Sequence, residues 1–349
     1  MESIESLGEF GLIDRIAKTI ELKQPTTKKG IGDDCAVIDT TSGSMKVVTT
    51  DMLLEGIHFD LTYCPLKHLG YKAVAVNLSD ICAMNARPQQ ITVSIGVSGK
   101  FTLKAIDDLY DGIRAACDRY GVDLVGGDTT SSLTGLTISI TAIGEQQTGR
   151  LAYRNGAKEN DIICVSGNLG AAYMGLQLLE REKKVLKGDA TSQPDLGGYE
   201  YILERQLKPE PRTDIVDFLD KIGVTPTSMM DVSDGLSSEL MHICTQSGKG
   251  CRIYEDKIPI HDQTRKMCDE LGINPIVAAM NGGEDYELLF SIRQEDYQKF
   301  QSTPGPEIYA IGYVCGNEKG RRLVTTGGDE AELQAQGWRF FTSDETVNQ

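Results

Sequence analysis

The chain has 349 residues, 40% of them hydrophobic, which is long enough for two domains with sizeable cores. It contains no run of about 18 apolar residues to span a membrane, and its acidic opening Met-Glu-Ser-Ile-Glu-Ser lacks the apolar core of an export signal, so a cytoplasmic protein is expected. A formal charge of -16 excludes a nucleic-acid backbone as partner, and it also repels an anionic nucleotide unless metal ions invert the local field.

Residues 9–22 carry an amphipathic helical pattern, followed by a glycine-rich loop, a strand at Ala36–Asp39, a Thr-Ser-Gly-Ser turn and a strand at Lys46–Asp51. A long helix is predicted over 66–86, ended by Arg87-Pro88. A strand over Gln90–Val97, a helix over 102–120 stopped by Gly121, and strands at Val122–Val125 and Leu136–Ile143 complete a first half. The second half starts near Arg150 with a strand at Asp161–Ser166 and a helix from Leu169 to Lys184. The stretch 187–198, rich in Gly, Ser and Pro, is expected to be a mobile loop. Helices near 213–222, 235–247 and 294–301 and strands near 251–254, 286–292 and 308–314 lead to a tail with the only tryptophan, Trp338. Strands and helices mix without strict alternation, which predicts an α+β protein of two mixed domains, 1–149 and 150–349. Nine cysteines without a Cys-x-x-Cys pair fit neither a zinc site nor a disulfide framework and are expected to be reduced and buried.

Five clusters set aspartates beside glycines or hydroxyl residues: Gly-Ile-Gly-Asp-Asp-Cys (30–35), Thr-Thr-Asp (49–51), Asn-Leu-Ser-Asp (77–80), Gly-Gly-Asp-Thr-Thr (126–130) and Asp-Val-Ser-Asp-Gly (231–235). Each abuts an apolar segment, where an isolated carboxylate is costly to bury. If they converge, a hard cation such as Mg2+ is needed, and a polyphosphate is the usual reason to gather it. Asp80 shares a helical stripe with Leu66, Leu69, Ala73, Val76 and Ala83, so it either looks out at a domain edge or meets a cation. Thr49, Thr50 and Asp51 can meet one cation only if the strand turns there. Asp234 could simply cap the helix that starts at Leu236, an explanation Asp231 lacks. Gly126-Gly127 and Gly282-Gly283 are open to a plain turn reading, with Glu284 and Asp285 then surface residues. There is no Walker loop, so nucleotide would be held through metals and backbone, with Arg154 as a candidate phosphate partner.

In order, Gly-Ile-Gly-Asp-Asp-Cys-Ala, Thr-Asp-x5-His-Phe, Ala-Val-Asn-Leu-Ser-Asp, Gly-Gly-Asp-Thr-Thr, Asp-Val-Ser-Asp-Gly-Leu and Gly-Gly-Glu-Asp-Tyr-Glu-Leu closely resemble the thiamine-monophosphate kinase family, within the superfamily of aminoimidazole ribonucleotide synthetase. The resemblance runs from Gly8 to the tryptophan region. It implies two α+β domains, with the N-terminal ones pairing through their sheets into a homodimer, and transfer of the γ-phosphoryl of ATP to thiamine monophosphate. It also implies Mg2+ ligands at Asp34, Thr49, Thr50, Asp51, Asp80, Asp128, Asp231 and Asp234. ATP contacts are implied at Tyr110, Gly127, Asp128, Arg154 and Ser233, and acceptor contacts at His58, Glu284 and Trp338. The acceptor is a phosphate monoester, largely dianionic at pH 7, so no general base is expected. Repulsion between the two anions is the obstacle: about 4 kcal/mol for each pair of unit charges at 4 Å and an effective dielectric of 20. Another ATP-dependent synthetase of the superfamily is an alternative; the selenophosphate type needs a reactive Cys or selenocysteine where this chain has Thr-Thr-Lys-Lys-Gly (26–30). A nucleotide-binding scaffold without turnover is the other, and the complete acid set argues against it.

Overall fold

The computed structural model describes residues 4–188, 194 and 196–334. The first 147 residues supply α1 (Ile4–Ala17), β1 (Thr27–Lys29), β2 (Ala36–Asp39), β3 (Ser44–Leu54), α2 (Leu66–Ala83), β4 (Arg87–Val97), α3 (Leu103–Tyr120), β5 (Asp123–Ser131) and β6 (Thr137–Gln147). Their strands form one mixed sheet in the order β1-β2-β3-β6-β4-β5. Leu69, Leu78, Leu109, Ile113, Ile138 and Ile140 build its core, where α2 packs on the sheet and on α3. The two helices touch backbone to backbone: a Cβ at Gly70 would lie 2.0 Å from the Leu109 carbonyl oxygen, and one at Gly112 1.9 Å from that of Lys67. Gly121, left-handed at φ 65°, ends α3 as the sequence predicts.

The second half holds β7 (Ile162–Ser166), α4 (Ala171–Gly188), α5 (Glu200–Leu207), α6 (Thr213–Lys221), β8 (Ser228–Asp231), α7 (Leu236–Ser247), β9 (Lys249–Tyr254), α8 (Asp262–Leu271), α9 (Pro275–Asn281), β10 (Leu288–Ile292), α10 (Gln294–Ser302), β11 (Ile308–Gly316), β12 (Arg321–Val324) and β13 (Glu330–Glu332). Its sheet runs β13-β12-β9-β11-β7-β10-β8, antiparallel except for β12 beside β9. Two sheets with separate cores realise the expected α+β architecture.

Helix α2 joins the halves. Nearly every residue from Leu69 to Ala83 is buried, because one side lies on its own sheet and the other meets β8, α5 and α6. Cys82 and Ala83 enter a core shared with Cys164, Ile215, Met229 and Phe290. That is why the sequence of α2 is apolar on several faces. Among the described residues no helix is long and apolar enough to cross a membrane, and all nine cysteines are free and buried.

Candidate functional site

Strand β3 pairs with β6 in unbroken register from Ser44 to Leu54. No turn occurs at Thr49-Thr50-Asp51, so the alternation of a strand holds and Thr50 points away from its two neighbours. The Thr49 hydroxyl donates to Asp80 Oδ2 at 2.6 Å, and the Asp51 amide donates to Asn77 Oδ1 at 3.1 Å, so both residues meet α2. Thr50 instead donates to the Ile140 carbonyl and accepts from Thr141 on the far side. Within one chain it does not join the acids.

The acids that do join come from three places. Asp34 lies in the bent loop between β1 and β2, Asp80 near the end of α2, and Asp231 at the last residue of β8. One carboxylate oxygen from each lies within 4.8 Å of the others. At that separation each ionised pair repels by about 3–4 kcal/mol at an effective dielectric of 20. Burial, then Asp51, Asp231 and Asp34, push the Asp80 carboxyl well above its ordinary range. Burial, with Asp34 next, raises Asp231 to about 7 despite the Ser79 hydroxyl that donates to it at 2.6 Å. Burial alone raises Asp51 to about 6. Three oxygen donors of one sign, close together and poorly hydrated, suit a hard divalent cation. Asp34 Oδ2, buried and without a hydrogen-bond partner, is a lone pair the protein leaves unused. The donor set therefore fits Mg2+.

Arg154 fixes this arrangement. Its guanidinium donates to Asp34 Oδ1 at 2.7 and 3.3 Å, and its backbone amide donates to Asp33 Oδ1 at 3.1 Å. Asp33 in turn faces Lys29 at 3.2 Å. Arg154, expected at a phosphate, thus already has an acid partner at the edge of the cluster.

The loop after β8 adds Ser233 and Asp234. Asp234 does not cap α7: the cap residue is Gly235, and no side chain caps it. The amides of Ser233 and Asp234 are held instead by Glu239 Oε1, at 3.1 and 2.7 Å, from inside α7. The same loop accepts the amides of Glu284 (to Ser233, 2.7 Å) and Tyr286 (to Val232, 2.9 Å). Gly283, Glu284 and Tyr286 all have positive φ, a strained path for the two non-glycines. Asp285 is buried rather than a surface residue; it accepts the Gly170 and Ala172 amides at the start of α4. Glu284 is half-buried, and it is the largest charge acting on His58, whose pKa burial lowers. Burial, with Glu284 as the acidic neighbour, also raises Asp234.

A second group stands apart. Tyr110, Gly127 and Asp128 line an open concavity of about 530 Å³ with Val93, Leu124 and Thr129. They meet because β5 continues through the Gly-Gly-Asp motif instead of ending before it, with Val125 bulged against β4. A Cβ at Gly127 would lie 1.8 Å from the Val93 carbonyl oxygen, so only glycine fits. Every residue of β5 is exposed, and Asp128 is not among the acids gathered around Asp80. Trp338, and 189–193 and 195 of the expected loop 187–198, lie outside the described residues.

Sequence reasoning passed over several residues that hold the site. Asp33 and Ser79 sit inside motifs already singled out, one place from the chosen acid. Tyr286, whose hydroxyl is raised by burial and then by Glu284, Asp51, Asp231 and Asp80, follows Glu284 by two. Lys72 interrupts the apolar run of α2, a signal that was available, whereas nothing in sequence ties Gln206 or Glu239 to the site.

Family models for the N-terminal and C-terminal domains of AIR synthase related proteins match residues 32–146 and 158–325. A thiamine-monophosphate kinase of Aquifex aeolicus is 33% identical over 338 residues, covering 97% of this chain and 99% of that one. The thiamine-monophosphate kinase of Bacillus subtilis is also 33% identical, covering 96% and 100%. The solved structure of "AaThiL complexed with AMPPCP and TMP" superposes with a TM-score of 0.81 at 31% identity, covering 98% and 99%.

Proposed function

Because this chain belongs to the thiamine-monophosphate kinase family of AIR synthase related proteins, we propose that it transfers the γ-phosphoryl of ATP to thiamine monophosphate, forming thiamine diphosphate and ADP. The convergence of Asp34, Asp80 and Asp231 from both halves of the chain carries this reading. It supports a Mg2+ site held by Asp34, Thr49, Asp51, Asp80 and Asp231, with Asp234 alongside. Mg2+ held there would supply the positive charge that offsets the repulsion between the two phosphate-bearing substrates.

The residues of the chain do the rest. Ser233 contacts the nucleotide phosphates from a loop steadied by Glu239, while Arg154 keeps Asp34 aimed and offers its cation beside it. His58 and Glu284 receive the acceptor, the carboxylate of Glu284 favouring its cationic thiazolium end. The acceptor phosphate is already a dianion at neutral pH, so no side chain need take a proton. Transfer is then direct and in line, without a phosphoenzyme. Tyr110, Gly127 and Asp128 contact ATP at the exposed edge of the first sheet, and Thr50 serves from its other face. We place these residues in a homodimer paired through that sheet, which is consistent with the exposed Leu124, Val125 and Leu133. Residues 1–149 would bind metal and ATP and dimerise, with 150–349 completing the site. Nine free, buried cysteines agree with the reducing cytoplasm.

The test is a coupled assay with Mg-ATP and three acceptors: thiamine monophosphate, thiamine and aminoimidazole precursors. Turnover with thiamine monophosphate alone is expected. Turnover only with another acceptor, or tight nucleotide binding with none, would replace this reading by the synthetase or scaffold alternative.

A further inference from the structure

We propose that Lys72 is a positioning residue for the phosphate acceptor, locking the Glu284 carboxylate from beneath so that its open side faces the acceptor beside His58. The inference rests on the acceptor assignment of Glu284 made above. Lys72 lies on α2 in the first half, is 4% exposed, and is the only lysine among the buried polar residues described. Its ammonium lies 3.0 Å from Glu284 Oε1 and donates to the Gln206 carbonyl oxygen at 3.1 Å. The Gln206 side-chain amide donates to Glu284 Oε2 at 2.9 Å. Both carboxylate oxygens are therefore held from the protein side, yet 32% of the Glu284 side chain remains exposed.

A buried ion pair adds little to stability compared with a well-packed apolar pair, so folding alone does not account for a lysine in the apolar run Leu69–Leu78. What the pair supplies is placement. Glu284 sits at φ 57° with its amide tied to Ser233, on a segment that also runs through Asp285 into the core. Lys72 and Gln206 then fix the carboxylate from two helices in different halves of the chain. Glu284 acts electrostatically on both His58 and Asp234, so its aim sets where a cationic acceptor comes to rest relative to the acid cluster. A fraction of an ångström there matters for transfer, because the reacting atoms must be aligned.

The test is steady-state kinetics of the full-length chain and of Lys72→Met, Lys72→Arg, Glu284→Gln and the double variant Lys72→Met/Glu284→Gln. Lys72→Met should raise the KM for thiamine monophosphate at least tenfold while the KM for Mg-ATP stays within twofold. Lys72→Arg, which keeps a cation with donors for both partners, should recover most of the loss. The double variant, which leaves no unpaired buried charge, should fold even if Lys72→Met does not, and its acceptor KM should equal that of Glu284→Gln alone. An unchanged acceptor KM in Lys72→Met, equal rises for both substrates, or independent multiplying effects in the double variant would overturn the proposal. Absence of turnover by the unaltered chain would instead remove the kinase reading, and this proposal with it.

Discussion

Stripping divalent cations from the protein should make its stability fall as pH rises, and adding them back should reverse the trend. Burial holds Asp51 near 6 and Asp231 near 7, against an ordinary 3.8. At about 1.4 kcal/mol per pH unit, ionising them in the folded state costs roughly 3 and 4 kcal/mol, each taken singly. Both folded values are raised, so the penalty is fully present above pH 7. It is relieved as pH falls through 7 and 6 towards the unfolded value. Metal-free protein should thus melt at a higher temperature at pH 5.5 than at pH 8, as far as these groups decide it. Mg2+ binds the ionised carboxylates, so at 100 times its Kd it should add about 2.7 kcal/mol at pH 8 and much less at pH 5.5. For domains of this size that corresponds to roughly 5–10 °C. Asp231→Asn retains an acceptor for Ser79 but removes the charge, so it should stabilise the metal-free protein at pH 8 by about 2–4 kcal/mol and abolish the Mg2+ shift. Thermal unfolding followed by circular dichroism, with EDTA and with Mg2+, reads all of this. A Mg2+ shift equal at both pH values, or an Asp231→Asn variant less stable than the parent at pH 8, would refute the reasoning.

Thr49→Val removes the hydroxyl that donates to Asp80 at 2.6 Å, a bond to a charged acceptor worth about 1.5–3 kcal/mol, and should weaken Mg2+ binding by tenfold or more in a calorimetric titration. Glu239→Ala leaves the Ser233 and Asp234 amides without their buried partner; the KM for Mg-ATP should rise at least tenfold, with a drop in melting temperature from the lost bonds. Asp128→Asn, on the exposed strand, should leave melting temperature unchanged yet cut turnover a hundredfold; near-normal kinetics would remove it from the nucleotide site.

How far the sequence could be read differed by element. The strand Ala36–Asp39 and the helix Leu236–Ser247 are found at their predicted bounds, since turn residues mark both ends. Asp80 was legible because a carboxylate on an apolar helix stripe needs a reason. Helices α5, α8 and α9 were not foreseen: α8 buries only Thr264, Met267 and Cys268, too narrow a stripe to stand out. Strand β8 is four residues, all buried, which leaves no alternation to detect. The course of β5 through Gly126-Gly127 depends on pairing with β4, and the separation of Thr50 from Thr49 depends on an unbroken register with β6. Neither tertiary fact has a local signature. Glu284 was noticed for its Gly-Gly neighbours, but its clamp by Lys72 and Gln206 joins positions 78 and 134 or more residues apart, beyond any motif.

The central claim is that acids from both halves of the chain form one cage for divalent cations around the phosphates of ATP. Anomalous diffraction from crystals grown with Mn2+ and a non-hydrolysable ATP analogue tests it most directly. A manganese peak within bonding distance of Asp34, Asp80 and Asp231, touching the analogue's phosphates, is the predicted result. Ordered nucleotide with manganese only at other residues would contradict it.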